Sequence, residues 1–221
     1  RFVTAAGVDQ VVTSDIHEQL CHSLFPIPIL EMTLADFWKQ QLSHVLRRDE
    51  VQNLCFVSPD RGGIGRVKEM AYLCGAEWAF VEKKRLGHNV TQAVALVGDV
   101  RDKVVVMIDD IIDTAITATE ACKMVVEYGA RKVIGCFSHA VFSPGAISRI
   151  EKSGFEQILI TNSVGRLSVD LGEKITIVSI DRHLGVFAKK VVQSIMSEEF
   201  ENTKGIGCQP HYMTKAVSRQ L

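Results

Sequence analysis

Residues 104–117 read Val-Val-Val-Met-Ile-Asp-Asp-Ile-Ile-Asp-Thr-Ala-Ile-Thr, and this stretch decides the fold. Its opening apolar run is typical of a central parallel strand that is covered on both faces. Asp109 and Asp110 follow directly, and Asp113 comes three residues later. Because adjacent carboxylates repel each other, we expect a cation or a group of hydroxyl donors beside them.

The turn after the carboxylates is predicted to open a helix over residues 117–128, with Gly129 just past its end. Thr117 and Glu120 also have the spacing of a capping box. A helix N-terminus offers free backbone N–H groups and a dipole that favours an anion. Carboxylates for sugar hydroxyls beside such N–H groups describe a site for a phosphorylated sugar. The alternative is a solvated strand end followed by a capped helix.

Strands and helices alternate along the rest of the chain. Apolar and β-branched runs predict further strands at residues 10–14, 53–58, 78–81, 132–137, 157–161 and 175–179, with 95–97 as an additional candidate. Helical spacing lies between them at residues 34–48, 66–74, 145–152 and 184–196. This alternation predicts an α/β fold with an open, mostly parallel sheet and helices on both faces. Such sheets bind ligands at the carboxyl ends of their strands.

Composition excludes several classes of protein. The 221 residues include 25 Lys and Arg against 26 Asp and Glu, which argues against nucleic-acid binding by bulk charge. No apolar run approaches the ~20 residues of a membrane-spanning helix. Six scattered cysteines without a Cys-x-x-Cys pair favour reduced thiols in a cytoplasmic protein. We therefore expect neither nucleic acid nor membrane as a partner.

Residues 109–114, Asp-Asp-Ile-Ile-Asp-Thr, resemble the phosphoribosyl diphosphate binding motif that type I phosphoribosyltransferases share with ribose-phosphate pyrophosphokinases. The Asp at position 113 is similar to the pyrophosphokinase version. Three other parts resemble that family in chain order: residues 13–19 with 25–28, residues 58–66, and residues 81–85 with 97–100. Because the likeness runs from about residue 7 to residue 196, the chain resembles the C-terminal portion of a ribose-phosphate pyrophosphokinase.

The resemblance implies a fold like that of type I phosphoribosyltransferases and a specific reaction. Family members transfer the diphosphate of MgATP to the 1-hydroxyl of ribose 5-phosphate, so the implied partners are ATP and ribose 5-phosphate and the implied cofactor is Mg²⁺. Lys83 and Arg85 match the catalytic cations, and His17 and Asp60 match the Mg²⁺-linked residues. The diphosphate loop corresponds to Asp60, Arg61, Gly62 and Gly63. The residues that correspond to the ribose 5-phosphate site of the family are Asp109, Asp110, Asp113, Thr114, Ala115, Ile116 and Thr117.

Local sequence adds detail to two of these segments. The pair Gly62–Gly63 permits positive φ and a close approach of backbone N–H groups to an anion, with a plain tight turn as the alternative. Residues 82–92 lack an apolar period, which favours a mobile lid.

Ala115 and Ile116 depart from the family pattern, which usually has Gly or Cys and then Gly. Ile116 is β-branched and disfavours the positive φ expected at its position. The departure predicts either a different backbone in the loop or weaker binding of the sugar phosphate.

The resemblance also suggests a division of the chain. Residues 1–7 read as the last turns of a helix closed by Gly7. We expect residues 1–14 to end a truncated N-terminal domain, residues 15–197 to form the phosphoribosyltransferase-like catalytic domain, and residues 198–221 to form a tail. Because the N-terminal domain of the family supplies much of the adenine pocket, the chain alone is expected not to bind ATP fully. The family implies a homo-oligomer built from dimers.

Two other functions stay open on sequence alone. A type I phosphoribosyltransferase would consume phosphoribosyl diphosphate, and Asp113 and the segment around His17 argue against it. A non-catalytic, pyrophosphokinase-like regulatory subunit is supported only by Ile116, whereas Lys83 and Asp60 oppose it.

Overall fold

The computed structural model describes residues 1–18, 20–84, 93–165 and 170–196. Within these ranges the strands are β1 (Val11–Ser14), β2 (Ile29–Met32), β3 (Leu54–Ser58), β4 (Glu77–Lys84), β5 (Ala93–Val97), β6 (Val104–Ile112), β7 (Lys132–Ala140), β8 (Gln157–Thr161) and β9 (Ile175–Val178). The helices are α1 (Phe2–Ala5), α2 (Cys21–Leu24), α3 (Ala35–Val45), α4 (Arg48–Val51), α5 (Ile64–Cys74), α6 (Ile116–Glu127), α7 (Ala146–Glu151) and α8 (Asp181–Met196).

The chain forms two compact units, which are described separately. The first comprises Arg1–Leu34 and the segment from Ile180 onward, and the second comprises Ala35–Ser179. In the first unit β1 and β2 pair in parallel. The Glu31 carboxylate joins the segments around them, because Oε1 accepts the Ile16 N–H at 2.7 Å and Oε2 lies 2.8 Å from His22 Nε2. The division by function into residues 1–14, 15–197 and 198–221 stays a prediction.

A seven-stranded sheet forms the centre of the second unit, in the order β5-β4-β3-β6-β7-β8-β9. Every neighbouring pair is parallel except β4 and β5, which are antiparallel. The chain leaves β3 toward β4 on one side and leaves β6 toward β7 on the other. The carboxyl ends of β3 and β6 therefore flank a point where the strand order reverses, which is where open α/β sheets bind ligands.

Both faces of the central strands are covered. Val105 and Met107 of β6 pack with Cys122 of α6 in one apolar cluster. Phe56 and Val106, whose side chains alternate with these, are fully buried as well, and α5 contacts β3, β4 and β6. The predicted α/β class, with its open and mostly parallel sheet, is confirmed.

Two elements differ from the sequence-based prediction. Strand β4 continues through Lys84 and pairs with β5, with Lys83 opposite Val94. Residues 82–84 are therefore part of a strand rather than a lid. Pairing with β5 orders them although their sequence has no apolar period. Arg85, the remainder of the predicted lid and the tail 198–221 lie outside the described residues. None of the described helices is both long and apolar enough to cross a membrane.

Candidate functional site

The carboxylate pair lies inside β6, and a guanidinium from the neighbouring helix α5 binds both members. Arg66 Nη1 is 3.3 Å from Asp109 Oδ1, and Arg66 Nη2 is 3.1 Å from Asp110 Oδ2. All three side chains are mostly buried, at 19%, 17% and 4% exposure. The expectation of a cation beside the two carboxylates is confirmed, and Arg66 supplies it.

The backbone of β6 holds the two carboxylates in position. The Asp110 N–H donates to Asp109 Oδ1 at 3.0 Å, and the Ile111 N–H donates to Asp110 Oδ1 at 2.8 Å. Each acid therefore has one oxygen occupied by a neighbouring amide. Acceptors with fixed orientation suit hydrogen bonding to adjacent sugar hydroxyls, since a fixed group loses little conformational freedom on binding.

The pKa of Asp109 is raised by its surroundings in this site. Burial raises the pKa of Asp109 to about 7, the charge of Asp110 acts in the same direction, and Arg66 opposes both. The charge of Asp60 also raises the pKa of Asp109, so the loop after β3 contributes to the same electrostatic environment. One guanidinium only partly neutralises three carboxylates.

The loop that is predicted to bind phosphate, residues 113–117, is called the phosphate loop. Its left-handed residue is Ala115 and not Ile116. Ala115 has φ +61° and is the N-cap of α6, whereas Ile116 is the first helical residue and is 44% exposed. Ile116 therefore does not adopt the positive φ that its β-branched side chain disfavours. Alanine, with its small side chain, occupies the left-handed position, and the larger branched side chain points where solvent reaches it.

The start of α6 lacks the predicted capping box. Because α6 begins at Ile116, Thr117 is already inside the first turn and cannot be the N-cap. No side chain caps the helix from Ala115, and the first turn contains no acidic residue. Side chains that accept hydrogen bonds, and acidic side chains, are usually found at the N-terminus of a helix. Thr114 Oγ1 accepts the Ile116 N–H at 3.4 Å, and the N–H groups that follow it and the helix dipole can attract an anion.

Asp113 and Thr114 contact the segment that follows β7. Asp113 Oδ1 accepts a hydrogen bond from the Ser143 N–H at 3.1 Å and another from the Ser143 hydroxyl. The Thr114 carbonyl accepts a hydrogen bond from Arg149 Nη1 at 2.9 Å. Binding of ribose 5-phosphate by Asp113, Thr114 and Thr117 stays a prediction, while the contacts of the first two give them a structural role.

The diphosphate loop, residues 60–63, is shaped by short contacts at the end of β3. The Asp60 carboxylate accepts the Gly62 N–H at 2.8 Å, and the Ser58 hydroxyl donates to the Asp60 carbonyl at 2.7 Å. Neither glycine has positive φ. Gly63 is needed for a different reason, because a Cβ built there would collide with the Ser58 hydroxyl. The exposed Arg61 guanidinium pairs with Glu82 of β4.

The model of the phosphoribosyl synthetase-associated domain matches residues 83–199, which is more than half of the chain. The chain belongs to the phosphoribosyl synthetase-associated domain family. Ribose-phosphate pyrophosphokinase of Thermotoga maritima is 34% identical over 84% of this chain and 58% of that protein. Ribose-phosphate pyrophosphokinase 1 of Spinacia oleracea is 37% identical over 84% of this chain and 55% of that protein. The chain spans about half the length of the curated relatives that it matches.

A solved structure agrees with the family assignment. The crystal structure of phosphoribosylpyrophosphate synthetase from Mycobacterium smegmatis aligns with a TM-score of 0.76 at 26% identity, over 87% of this chain and 61% of that chain. The resemblance to the pyrophosphokinases that the sequence motifs indicated is confirmed.

One carboxylate of the described site could serve the magnesium ion that the family resemblance implies. Among the residues that the structure describes, no three His, Cys, Asp or Glu side chains are grouped to hold a metal ion. Mg²⁺ bound with nucleotide phosphates needs only one or two protein ligands, and carboxylate oxygen is the donor it prefers. Asp60 offers such a group. His17 is exposed in the first unit, so its pairing with Asp60 stays a prediction.

Sequence reasoning assigned no role to three residues of this site. Arg66 ends the quoted loop motif, and its position at the start of a helix beside the acidic strand was an available signal. Ser143 and Arg149 are separated from the residues that they contact by 30 and 35 positions. No local pattern reports such a pairing, because it depends on the alignment of β6 with β7.

Proposed function

We propose that the protein carrying this chain is a ribose-phosphate pyrophosphokinase. It transfers the diphosphate of MgATP to the 1-hydroxyl of ribose 5-phosphate, and the products are 5-phosphoribosyl 1-diphosphate and AMP for nucleotide biosynthesis. One observation carries the proposal: the Asp109–Asp110 pair and a helix start without a side-chain cap belong to one continuous segment at the reversal of the strand order. The names of the relatives support the same activity.

The two halves of this segment suit the two halves of ribose 5-phosphate. Asp109 and Asp110 accept hydrogen bonds from the ribose hydroxyls, and their amide contacts keep the acceptor atoms in place. The N–H groups at the start of α6 receive the 5-phosphate, which the helix dipole also attracts. Together they orient the sugar so that its 1-hydroxyl faces the diphosphate donor.

The transfer itself needs positioning and charge neutralisation more than covalent chemistry. The 1-oxygen of the sugar attacks the β-phosphorus of ATP, and the bond from that phosphorus to the oxygen shared with the α-phosphorus breaks. AMP leaves with that oxygen, and the hydroxyl proton is released. Lys83 and Arg85 stabilise the charge on the diphosphate in transit. Asp60 would contribute a ligand to Mg²⁺, which when bound neutralises the phosphate oxygens, and the assignment of His17 to the metal stays a prediction.

The loop after β3 is suited to receive the diphosphate. Gly62 and Gly63 lack side chains where Ser58 and Asp60 close the turn, so the backbone is accessible at the end of β3. Because β3 and β6 are adjacent, this loop and the sugar site share one edge of the sheet. That arrangement supports a donor and an acceptor that meet above the strand ends.

The proposal covers assembly and location as well. We propose that the whole protein is a homo-oligomer built from dimers and acts in the cytoplasm, with ATP and ribose 5-phosphate as substrates. The chain by itself is expected to bind the sugar phosphate and to be inactive in transfer, since it spans about half the length of its relatives.

An assay on the full-length protein tests the proposal directly. With ribose 5-phosphate and MgATP we expect AMP and 5-phosphoribosyl 1-diphosphate in equal amounts. A type I phosphoribosyltransferase would release no AMP from ATP and would consume phosphoribosyl diphosphate when given a base. Binding of ribose 5-phosphate without turnover would instead identify a regulatory subunit and refute the catalytic proposal.

The magnesium assignment has its own prediction. Asp60→Asn should raise the Mg²⁺ concentration needed for half-maximal activity by about tenfold, because one of few protein ligands loses its charge. Asp170→Asn, which changes an exposed loop carboxylate, is the matched control and should leave the titration unchanged. Superimposable Mg²⁺ titrations of the Asp60 variant and the parent would contradict the assignment.

A further inference from the structure

Two contacts join the phosphate loop to the segment that follows β7. Ser143 reaches Asp113 at one end of the loop through both its backbone N–H, at 3.1 Å, and its hydroxyl. Arg149 of α7 reaches the Thr114 carbonyl at 2.9 Å. The two contacts immediately precede Ala115, which is the residue with positive φ. We call Ser143 and Arg149 the loop clamp.

The contact of Arg149 determines which way one peptide group faces. In a trans peptide the C=O and the following N–H point in opposite directions. Because the Thr114 carbonyl is directed toward Arg149, the N–H of Ala115 is directed away from α7. The left-handed conformation of Ala115 is unfavourable for a residue with a Cβ, so it needs support from its surroundings. The Arg149 hydrogen bond provides that support.

The surroundings of Arg149 are shaped to admit its guanidinium. Gly145 has φ +86°, and a Cβ built there would lie 3.3 Å from Arg149 Nη1 and 3.4 Å from Nη2. The guanidinium is exposed beside the start of α6. A cation at this position adds to the attraction that the helix dipole exerts on an anion.

We infer that the loop clamp consists of positioning residues that hold the backbone of residues 114–117 in the shape that receives a phosphate. Ser143 anchors the Asp113 side chain, and Arg149 orients the Thr114–Ala115 peptide and contributes positive charge. The ligand of the loop, ribose 5-phosphate, is taken from the proposed function. The shape of the loop without ligand does not depend on that function.

The test compares Arg149→Met with Lys152→Met. Both changes remove an exposed cation near α7, but only Arg149 contacts the phosphate loop. In the full-length protein, Arg149→Met should raise the KM for ribose 5-phosphate at least tenfold, while kcat and the KM for ATP change less than twofold. Arg149→Lys should recover part of the affinity, since it restores charge and one donor. Lys152→Met should match the parent in all three constants.

Hydrogen exchange supplies a readout that needs no ligand. In the absence of substrate, the Thr119 amide, whose N–H donates to the Ala115 carbonyl at 3.0 Å, should exchange at least fivefold faster in Arg149→Met and in Ser143→Ala than in the parent. Lys152→Met should leave this rate unchanged. Accelerated exchange in a protein that makes no AMP would refute the proposed function and uphold the clamp.

Two results would overturn the inference. One is unchanged exchange of the Thr119 amide in both clamp variants. The other is a fall in kcat or a rise in the KM for ATP as large as the change for ribose 5-phosphate, since that would indicate general damage rather than positioning of the phosphate loop. Thermal unfolding of each variant shows whether the fold is intact before either reading is made.

Discussion

Replacement of Arg66 by methionine tests how the carboxylate pair is held in β6. The change removes the guanidinium that binds Asp109 and Asp110 but keeps most of the apolar length of the side chain. Breaking a buried ion pair by removing one partner typically costs about 3–5 kcal/mol. Because Arg66 and Asp109 keep 19% and 17% exposure, we expect the lower end, about 3 kcal/mol at pH 8.

The loss of stability in Arg66→Met should depend on pH, and the raised pKa of Asp109 gives the direction of that dependence. The pKa of Asp109 in the folded chain is raised from 3.8 to about 7, chiefly by burial. Folded protein therefore binds a proton that unfolded chain has released, so the free energy of unfolding falls as the pH rises from about 4 through about 7. Removal of Arg66 raises the pKa of Asp109 further. At pH 5 Asp109 is protonated in parent and variant alike, so the main loss is the contact of Arg66 with Asp110, and we expect a loss of about 1.5 kcal/mol, half of that at pH 8.

Urea unfolding followed by tryptophan fluorescence measures both values. Trp38 and Trp78 are the two tryptophans of the sequence, and both belong to the Ala35–Ser179 unit that contains the site. Lys123→Met is the matched control, because Lys123 is an exposed helical cation whose partner Glu127 is also exposed. It should cost no more than about 0.5 kcal/mol at either pH.

The Arg66 reasoning would be refuted by an equal loss at pH 5 and pH 8, or by a loss below about 1 kcal/mol at pH 8. A second variant separates charge from packing. Asp109→Asn in the Arg66→Met background removes the unpaired charge and should recover about half of the loss at pH 8. Asp109→Asn alone should flatten the fall in stability between about pH 4 and pH 7.

Five other substitutions test the two loops and strand β4. Gly63→Ala should lower the free energy of unfolding by about 1–3 kcal/mol, because the added Cβ overpacks the loop. Gly65→Ala, where a Cβ meets nothing within 4 Å, should raise the free energy of unfolding by up to about 1 kcal/mol. A Gly63→Ala variant that is more stable to urea than Gly65→Ala would contradict the packing argument. Ala115→Gly should stabilise the chain by up to about 1 kcal/mol, because glycine adopts the left-handed conformation without strain. Ile116→Gly should destabilise the chain by a similar amount, because the backbone at Ile116 is helical. Opposite shifts in the thermal unfolding temperature would indicate that the strained residue is Ile116 rather than Ala115. Lys83→Ala in the full-length protein should lower kcat about 100-fold with little change in KM, and an unchanged kcat would remove Lys83 from the mechanism.

The elements with strong local patterns were predictable from the sequence. The apolar run 104–108 is part of β6, residues 157–161 match β8, and Gly75 and Gly129 follow the ends of α5 and α6 with positive φ, as expected of helix termini. The ends of the strands were predicted less accurately than their positions. Hydrogen bonds to neighbouring strands extend β4, β6 and β7 beyond the apolar runs in their sequences. Strand β2 was missed, since its residues follow prolines that indicated only an extended connection.

The sequence by itself determined the chemical composition of the site. Apolar residues that lead into adjacent acids, with a helix directly after them, place carboxylates and backbone N–H groups in one short segment, and chain connectivity alone keeps them together. The family resemblance followed from the same residues. These features are local, so they can be read along the chain.

Only the tertiary structure decided how those groups are held and charged. Arg66 neutralises part of the acid pair from 43 residues away, and Ser143 and Arg149 hold the phosphate loop across the β6–β7 pairing. The raised pKa of Asp109 depends on burial, which exists only once helices cover the sheet. The left-handed residue is Ala115 rather than Ile116 because the start of α6 is set by these distant contacts. Positions that depend on strands brought together by folding leave no periodic trace in the sequence.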